Sequence, residues 1–193
     1  MNGVEAIRTA TDAVKKIPTS LPGVFILEPR IFRDERGFFF ESYNQRIMAE
    51  MGIVGSFVQD NHSCSARNVL RGLHYQVKHP QGKLVRVAEG EILDVAVDMR
   101  KSSATFGRWE AVRLSGENHR MLWIPPGFAH GFRVLSEKAH VLYKATDFYA
   151  PEHERTLAWN DPQLKINWEL NGEPIVSEKD QRGVSFRDAE SFG

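Results

Sequence analysis

A chain of 193 residues is short for two domains and long enough to bury one sizeable core. Hydrophobic residues at 41% and charged residues at 26% are globular proportions, and 9 prolines with 15 glycines exclude a low-complexity or collagen-like chain. The 25 Lys and Arg balance 25 Asp and Glu, so no global field gathers nucleic acid or an anionic membrane, and an anionic ligand needs a local basic cluster.

The lone Cys64 leaves no intrachain disulfide, which suits a reducing compartment, so a cytoplasmic location is expected. No run approaches the ~20 apolar residues of a membrane span, and residues 1–20 lack the continuous apolar segment of ~7 to 15 residues that a signal peptide requires. Those first 20 residues read as a flexible extension, with at most a short amphipathic helix through Val4, Ile7 and Val14 that Pro18 ends. Residues 21–193 read as a single domain. From Gly23 onward short β-prone runs follow one another: 24–28, 38–42, 55–60, 68–77, 83–87, 91–99, 109–115, 121–124, 128–135 and 140–149. Gly, Pro, Asn, Asp and Ser separate most of them at the rhythm of a sandwich or barrel, which makes the fold mostly β. One short helix is predicted at Gln45 to Met51, stopped by Gly52. Beyond Tyr149 the chain turns polar and turn-rich, as expected of a segment that wraps the core, with a short helix after Asp161-Pro162.

Strand arithmetic places some polar residues together. A hairpin turning at Glu89-Gly90 sets Lys83 opposite Ala96 and Val85 opposite Asp94, so that Lys83 and Asp94 become diagonal neighbours on one face. An exposed ion pair there would contribute at most ~1 kcal/mol. A second hairpin turning at Ser136 to Ala139 sets Phe132 opposite Tyr143, with His130 diagonal to Tyr143. Their common face reads either as a cavity wall or as a packed core with a satisfied His and Tyr. The segment Arg71-Gly72-Leu73-His74-Tyr75-Gln76 is the densest polar stretch. Strict alternation sends Arg71 and His74 to opposite faces, so joint use of both requires a bulge, for which Gly72 is the natural position.

Metal, nucleophile and phosphate-loop signatures are weak. PPGFAHGF at 125–132 is similar to half of the second cupin motif, but the first motif's His-x-His is missing, because Tyr75 and Gln76 follow His74. No paired Cys/His zinc spacing, nucleophile elbow or P-loop occurs. His, Tyr, Lys, Asp and Arg remain, a set suited to metal-free proton transfer beside a carbonyl.

Nine separated strings then match one family: FRDERGFFFESYNQ (32–45), FVQDNHS (57–63), NVLRGLHYQ (68–76), QGKLVRV (81–87), GEILDVAVDMRKSSATFG (90–107), LWIPPGFAHGF (122–132), LYKATDFYAPEHE (142–154), WNDP (159–162) and SEKD (177–180). From about Leu21 to Gly183 the chain resembles the dTDP-4-dehydrorhamnose 3,5-epimerases. The resemblance implies an isomerase of dTDP-rhamnose biosynthesis with a cupin-type antiparallel jelly roll, a few short helices, a homodimer and neither cofactor nor metal. The implied substrate is a dTDP-linked 4-keto-6-deoxy sugar, inverted at C3 and C5. Carried over by position, His74 is the general base, Tyr143 the proton donor on the opposite face, Asp180 the partner of His74, and Lys83 the neighbour of the enolate oxygen. His130 and Asp94 complete the sugar pocket, Arg71 matches the diphosphate ligand, and Gln59, Asp60 and Asn61 match substrate-binding positions at the nucleotide. Phe32, Arg36 and Glu41 match positions that reach across from a second subunit, and Glu154 and Lys179 match further substrate contacts. Much of this series is shared with 3-epimerases of other deoxysugar pathways, and a nucleotide-sugar-binding cupin without turnover is a further alternative.

Overall fold

The computed structural model describes residues 13–193. Strands dominate, in the order β1 (Val14–Pro18), β2 (Phe25–Pro29), β3 (Phe32–Asp34), β4 (Gly37–Phe39), β5 (Gln59–Ala66), β6 (Val69–Gln76), β7 (Lys83–Glu89), β8 (Glu91–Asp98), β9 (Trp109–Ser115), β10 (Met121–Ile124), β11 (Phe128–Val134), β12 (Lys138–Ala145), β13 (Glu154–Thr156) and β14 (Ile175–Val176). Helix α1 (Gln45–Glu50) follows β4, and α2 (Glu178–Gln181) follows β14. The Asn44 side chain accepts from the amides of Arg46 and Ile47 to start α1, and Gly52 at φ +91° lies just past its end. The predicted helix and its stop signal are therefore both present.

Two sheets face each other as in a jelly roll. One runs β1-β2-β10-β7-β12-β5, the other β13-β6-β11-β8-β9 with β14 parallel to β6, and β3-β4 form a separate hairpin. The interior between the sheets holds an apolar cluster that includes Val85, Ile92, Val112, Leu114, Leu122, Ile124 and Val134. Each outer face has its own cover. Ile47, Met48 and Met51 lie over Leu27, Leu84, Met121 and Trp123 on the first sheet. Leu157, Leu164, Trp168 and Phe186 of the C-terminal segment lie over Leu73, Tyr75, Val95 and Val97 on the second. Strands buried on both faces read as continuous apolar runs, which is why β8, β10 and β11 are so plain in the sequence.

Three expectations change. Both hairpins are absent: β7 pairs with β10 and β12, β8 with β9 and β11, so the Glu89-Gly90 corner carries the chain from one sheet to the other. The Ser136 to Ala139 turn likewise crosses between sheets, since β11 pairs with β6 and β8 and β12 pairs with β5 and β7. A sharp turn marks where strands end without naming their partners. Of the extension expected at residues 1–20, residues 1–12 lie outside the described residues, whereas Val14–Pro18 pairs along its length with β2. The helix expected after Asp161-Pro162 is a turn, in which the buried Asp161 carboxylate accepts from the amides of Gln163, Leu164 and Phe186 and so ties two stretches of the tail together.

Candidate active site

Inward-facing residues of β5, β7 and β12 on one sheet, and of β6 and β11 on the other, line a cavity of about 370 Å³. The two corners misread as hairpins produce this arrangement. Lys83 and Tyr143 come from the first sheet, His130 and Asp94 from the second, so the groups expected to be neighbours along a ladder face one another across the interior. The His130 and Tyr143 rings meet edge to face with centroids 6.5 Å apart.

The bulge expected at Gly72 is present. His130 pairs with His74 and Phe132 pairs with Arg71, so two steps along β11 match three along β6. Gly72 adopts φ +119°, and a Cβ there would come within 2.5 Å of Gly131 Cα. Only a residue without a side chain fits the bend. The phase shift turns Arg71 and His74 into the same cavity.

His74 and Asp180 form a short hydrogen bond, Nε2 to Oδ1 at 2.5 Å. Asp180 reaches that position on α2, whose Ser177 cap accepts from the Asp180 amide at 3.2 Å. Burial pushes the Asp180 carboxyl up, but the hydrogen bond and charge of His74, with the Gly72 amide and Ser177, outweigh it and hold the group below its ordinary value. An imidazole that gives its Nε2 hydrogen to a carboxylate keeps its lone pair at Nδ1. Both line the cavity, but His74 is 26% exposed and Asp180 only 4%, so the base is open to a ligand while its orienting partner is largely covered. A second pair lies beside it: His130 Nε2 bonds Asp94 Oδ1 at 2.7 Å, both groups buried. Burial lowers His130 below the usual imidazole value and outweighs the opposing pull of Asp94, which makes it a neutral polar wall near pH 7.

Lys83 is the energetic outlier. It is buried, with no hydrogen-bond or ion-pair partner among the described residues, and its ammonium lies 5.9 Å from the Tyr143 ring centroid. Burial lowers its pKa to about 8 against the opposing fields of Glu154 and Asp94. Of the two readings of the face shared by Lys83 and Asp94, the exposed ion pair is not formed, and Asp94 Oδ2 is itself buried without a partner. Burial and the Glu154 charge raise the Tyr143 phenol, with Arg71 opposing, so it stays protonated well above neutrality. Asn61 Nδ2 and Ser63 Oγ are also buried without partners beside the cavity. Unmet donors and an unpaired cation are what a site for a polar anion leaves open.

The C-terminal segment closes the rim. Glu154 on β13 accepts from Lys179 Nζ at 2.6 Å and from the Tyr149 hydroxyl at 2.8 Å. Burial pushes its carboxyl up, but these two bonds hold it below the ordinary value. Gln59 donates to Asn61 Oδ1 and accepts from the Tyr149 amide. Ser65, Tyr149 and Ser177 were missed in the sequence. For Ser177 a signal existed, because Ser-x-x-Asp before a short helix is a capping pattern.

Of the residues carried over by position, Asp94, Glu154 and Gln59 do not line this cavity but bond to residues that do, and Phe32, Arg36, Glu41 and Asp60 lie away from it. Asp60 faces the other side of β5 and pairs with Lys144, because its neighbours Gln59 and Asn61 take the inward positions. Arg36 pairs with Asp34 in the β3-β4 hairpin, beside Phe32, and Glu41 accepts from Asn44 Nδ2. That hairpin holds Phe38 and Phe39 at 54% and 71% exposure. Among the described residues no group of three or more His, Cys, Asp or Glu is arranged to hold a metal ion.

Comparison with known proteins places this geometry. The family described as dTDP-4-dehydrorhamnose 3,5-epimerase matches residues 18–188. The curated dTDP-4-dehydrorhamnose 3,5-epimerase of Pseudomonas aeruginosa is 61% identical over 180 residues, 93% of this chain and 99% of that one. A crystal structure of the 3,5-epimerase from Legionella pneumophila in complex with dTDP-4-keto-L-rhamnose is similar at a TM-score of 0.90 and 50% identity, over 92% of this chain and 95% of that one. The enzyme from Bacillus anthracis, with TDP and PPi bound, gives 0.87 and 44%, over 90% and 99%. A family match over residues 18–188, a shared fold and near-complete coverage lead to one conclusion: this chain belongs to the dTDP-4-dehydrorhamnose 3,5-epimerase family.

Proposed function

We propose that this cavity epimerises a dTDP-linked 4-keto-6-deoxy sugar at C3 and C5, with His74 and Tyr143 moving protons on opposite faces of the sugar ring. The reading rests above all on one observation: His74 and Tyr143 enter one cavity from opposing sheets, with the unpaired ammonium of Lys83 buried between the same walls. A proton beside a ketone is removable only if the oxyanion that forms is stabilised, and a preorganised, desolvated cation does this strongly. C3 and C5 flank the same C4 ketone, so a single oxyanion site at Lys83 serves both carbons.

Inversion requires removal from one face and return to the other, which one fixed group cannot do. His74 Nδ1 takes the proton and the C–H pair becomes the enolate. Tyr143 then donates its hydroxyl proton to the opposite face, the carbonyl re-forms, and solvent restores the phenol while His74 releases its proton. Asp180 holds the imidazole tautomer and stabilises the imidazolium, as the carboxylate of a catalytic triad does. The sequence moves protons only and is redox-neutral.

Arg71 has no carboxylate partner among the described residues and offers a planar, permanent charge to the diphosphate. Gln59, Asn61, Lys179 and Glu154 bind around the nucleotide and the sugar. The enzyme works as a cytoplasmic homodimer in which Phe32, Arg36 and Glu41 of one subunit complete the site of the other. The β3-β4 hairpin supports this, because it carries exposed phenylalanines away from its own cavity. No helix among the described residues is long and apolar enough to cross a membrane.

Turnover of dTDP-4-keto-6-deoxyglucose in heavy water tests the reading, with NMR at both carbons. Deuterium should enter C3 and C5. Label confined to C3 would indicate a 3-epimerase, and binding without any label would indicate a non-catalytic nucleotide-sugar module.

A further inference from the structure

Ser65 belongs to none of the motif roles above, yet it makes the only hydrogen bond to the Arg71 side chain among the described residues, accepting from Nε at 3.0 Å. It sits on the inward face of β5, in register with Ala139 of β12, and is 5% exposed. Arg71 is exposed at the cavity wall. An arginine so placed carries a long side chain with many rotamers, and its anion affinity depends on how much of that freedom binding must remove. A hydroxyl that takes Nε–H fixes the plane of the guanidinium and leaves both Nη groups, with four N–H donors, directed away from Ser65. That presents the end of the fork, the geometry for bidentate contact with phosphate oxygens.

The surroundings leave Ser65 few other tasks. Its neighbour on the inward face, Ser63, has a buried hydroxyl with no partner, so of these two serines only Ser65 engages Arg71. Arg71 has no carboxylate partner among the described residues, so Ser65 orients the cation without neutralising it. Ser65 and Arg71 come from facing sheets, so the bond between them crosses the interior.

We propose that Ser65 is a positioning residue for diphosphate binding, acting by locking the Arg71 guanidinium with its fork turned toward the ligand. The proposal rests on the diphosphate role of Arg71 given above. Its test is calorimetric titration of the full chain with dTDP and with thymidine, which lacks phosphate, together with steady-state kinetics. Ser65→Ala should raise Kd for dTDP and KM for the sugar nucleotide about 5- to 10-fold and keep kcat within about twofold. Thymidine binding should not change. Ser65→Thr, which keeps the hydroxyl, should restore dTDP affinity. In an Arg71→Ala background Ser65→Ala should add nothing, since the group it orients is gone.

An unchanged Kd for dTDP in Ser65→Ala overturns the proposal while Arg71→Ala still weakens binding. So do equal losses in both backgrounds, or equal weakening of thymidine, which mean a general structural role. Intact dTDP binding in Arg71→Ala overturns the diphosphate reading of Arg71 and this proposal with it. These binding measurements do not depend on turnover, so they stand apart from the test of epimerisation.

Discussion

The space between the two sheets has two halves built to different rules. Where β8 and β9 face β7, β10 and β2, it is closed and apolar, with Leu114, Leu122, Val85 and Ile92 almost wholly buried. Where β6 and β11 face β5 and β12, it is an open cavity holding a partnerless ammonium, two imidazole–carboxylate pairs and unmet donors. The closed half supplies burial free energy and fixes the distance between the sheets. The open half costs stability, because groups that water would satisfy are held for a ligand instead. Mutations in the two halves should therefore separate stability from activity.

The largest effect belongs to His74. His74→Ala should lower solvent exchange at the sugar by about 10²- to 10⁴-fold, the range for loss of a general base, with dTDP affinity unchanged in titration. Equal loss of dTDP binding would take the base role away from it. In the closed half, Leu114→Ala should cost about 2 to 5 kcal/mol in urea unfolding while kcat of the remaining folded enzyme is kept. A matching loss of kcat would mean that the halves are not separable.

Lys83 sharpens the comparison through pH. Its folded pKa, about 8, lies below its ordinary 10.5, so between those values the unfolded chain binds more protons and stability rises with pH. Below about 8 the full cost is present. Lys83→Met should thus stabilise the ligand-free protein at pH 7 by roughly 1 to 3 kcal/mol, a gain that fades toward pH 10.5. The same group should make kcat/KM of the unmodified enzyme fall as pH rises through about 8, when the charge beside the enolate is lost. That fall should be missing in Lys83→Arg. A less stable Lys83→Met at pH 7, or an unmoved pH limb in Lys83→Arg, would contradict the assignment.

The sequence made the apolar half easy to read and the polar half harder. Strands β8, β10 and β11 stand out as apolar runs, whereas β5 is expected to end at Asp60 and continues to Ala66. Its polar residues 60–66 show no hydrophobic alternation, because one face lines the cavity and the strand lies at a sheet edge. Strand β1 was hidden for a related reason: Lys15 and Lys16 guard an edge, and charged short edges read as loop. The hairpin arithmetic named wrong partners, yet it put Lys83 with Asp94 and His130 with Tyr143, two pairs that the facing sheets both direct inward. Alternation fixes which side of a sheet a residue faces, and facing sheets share their interior. Asp180 and Glu154 could not be placed by local pattern, since the tail that carries them docks through contacts far apart in the chain.

The central claim is that two proton carriers act from opposite walls, and Tyr143→Phe in heavy water tests it most directly. With the donor removed and the base kept, His74 should still take and return protons on its own face, so deuterium should appear in substrate of unchanged configuration while inverted product falls about 10²-fold or more. Inverted product forming at the unmodified rate would show that the second proton comes from elsewhere and that Tyr143 is not the donor.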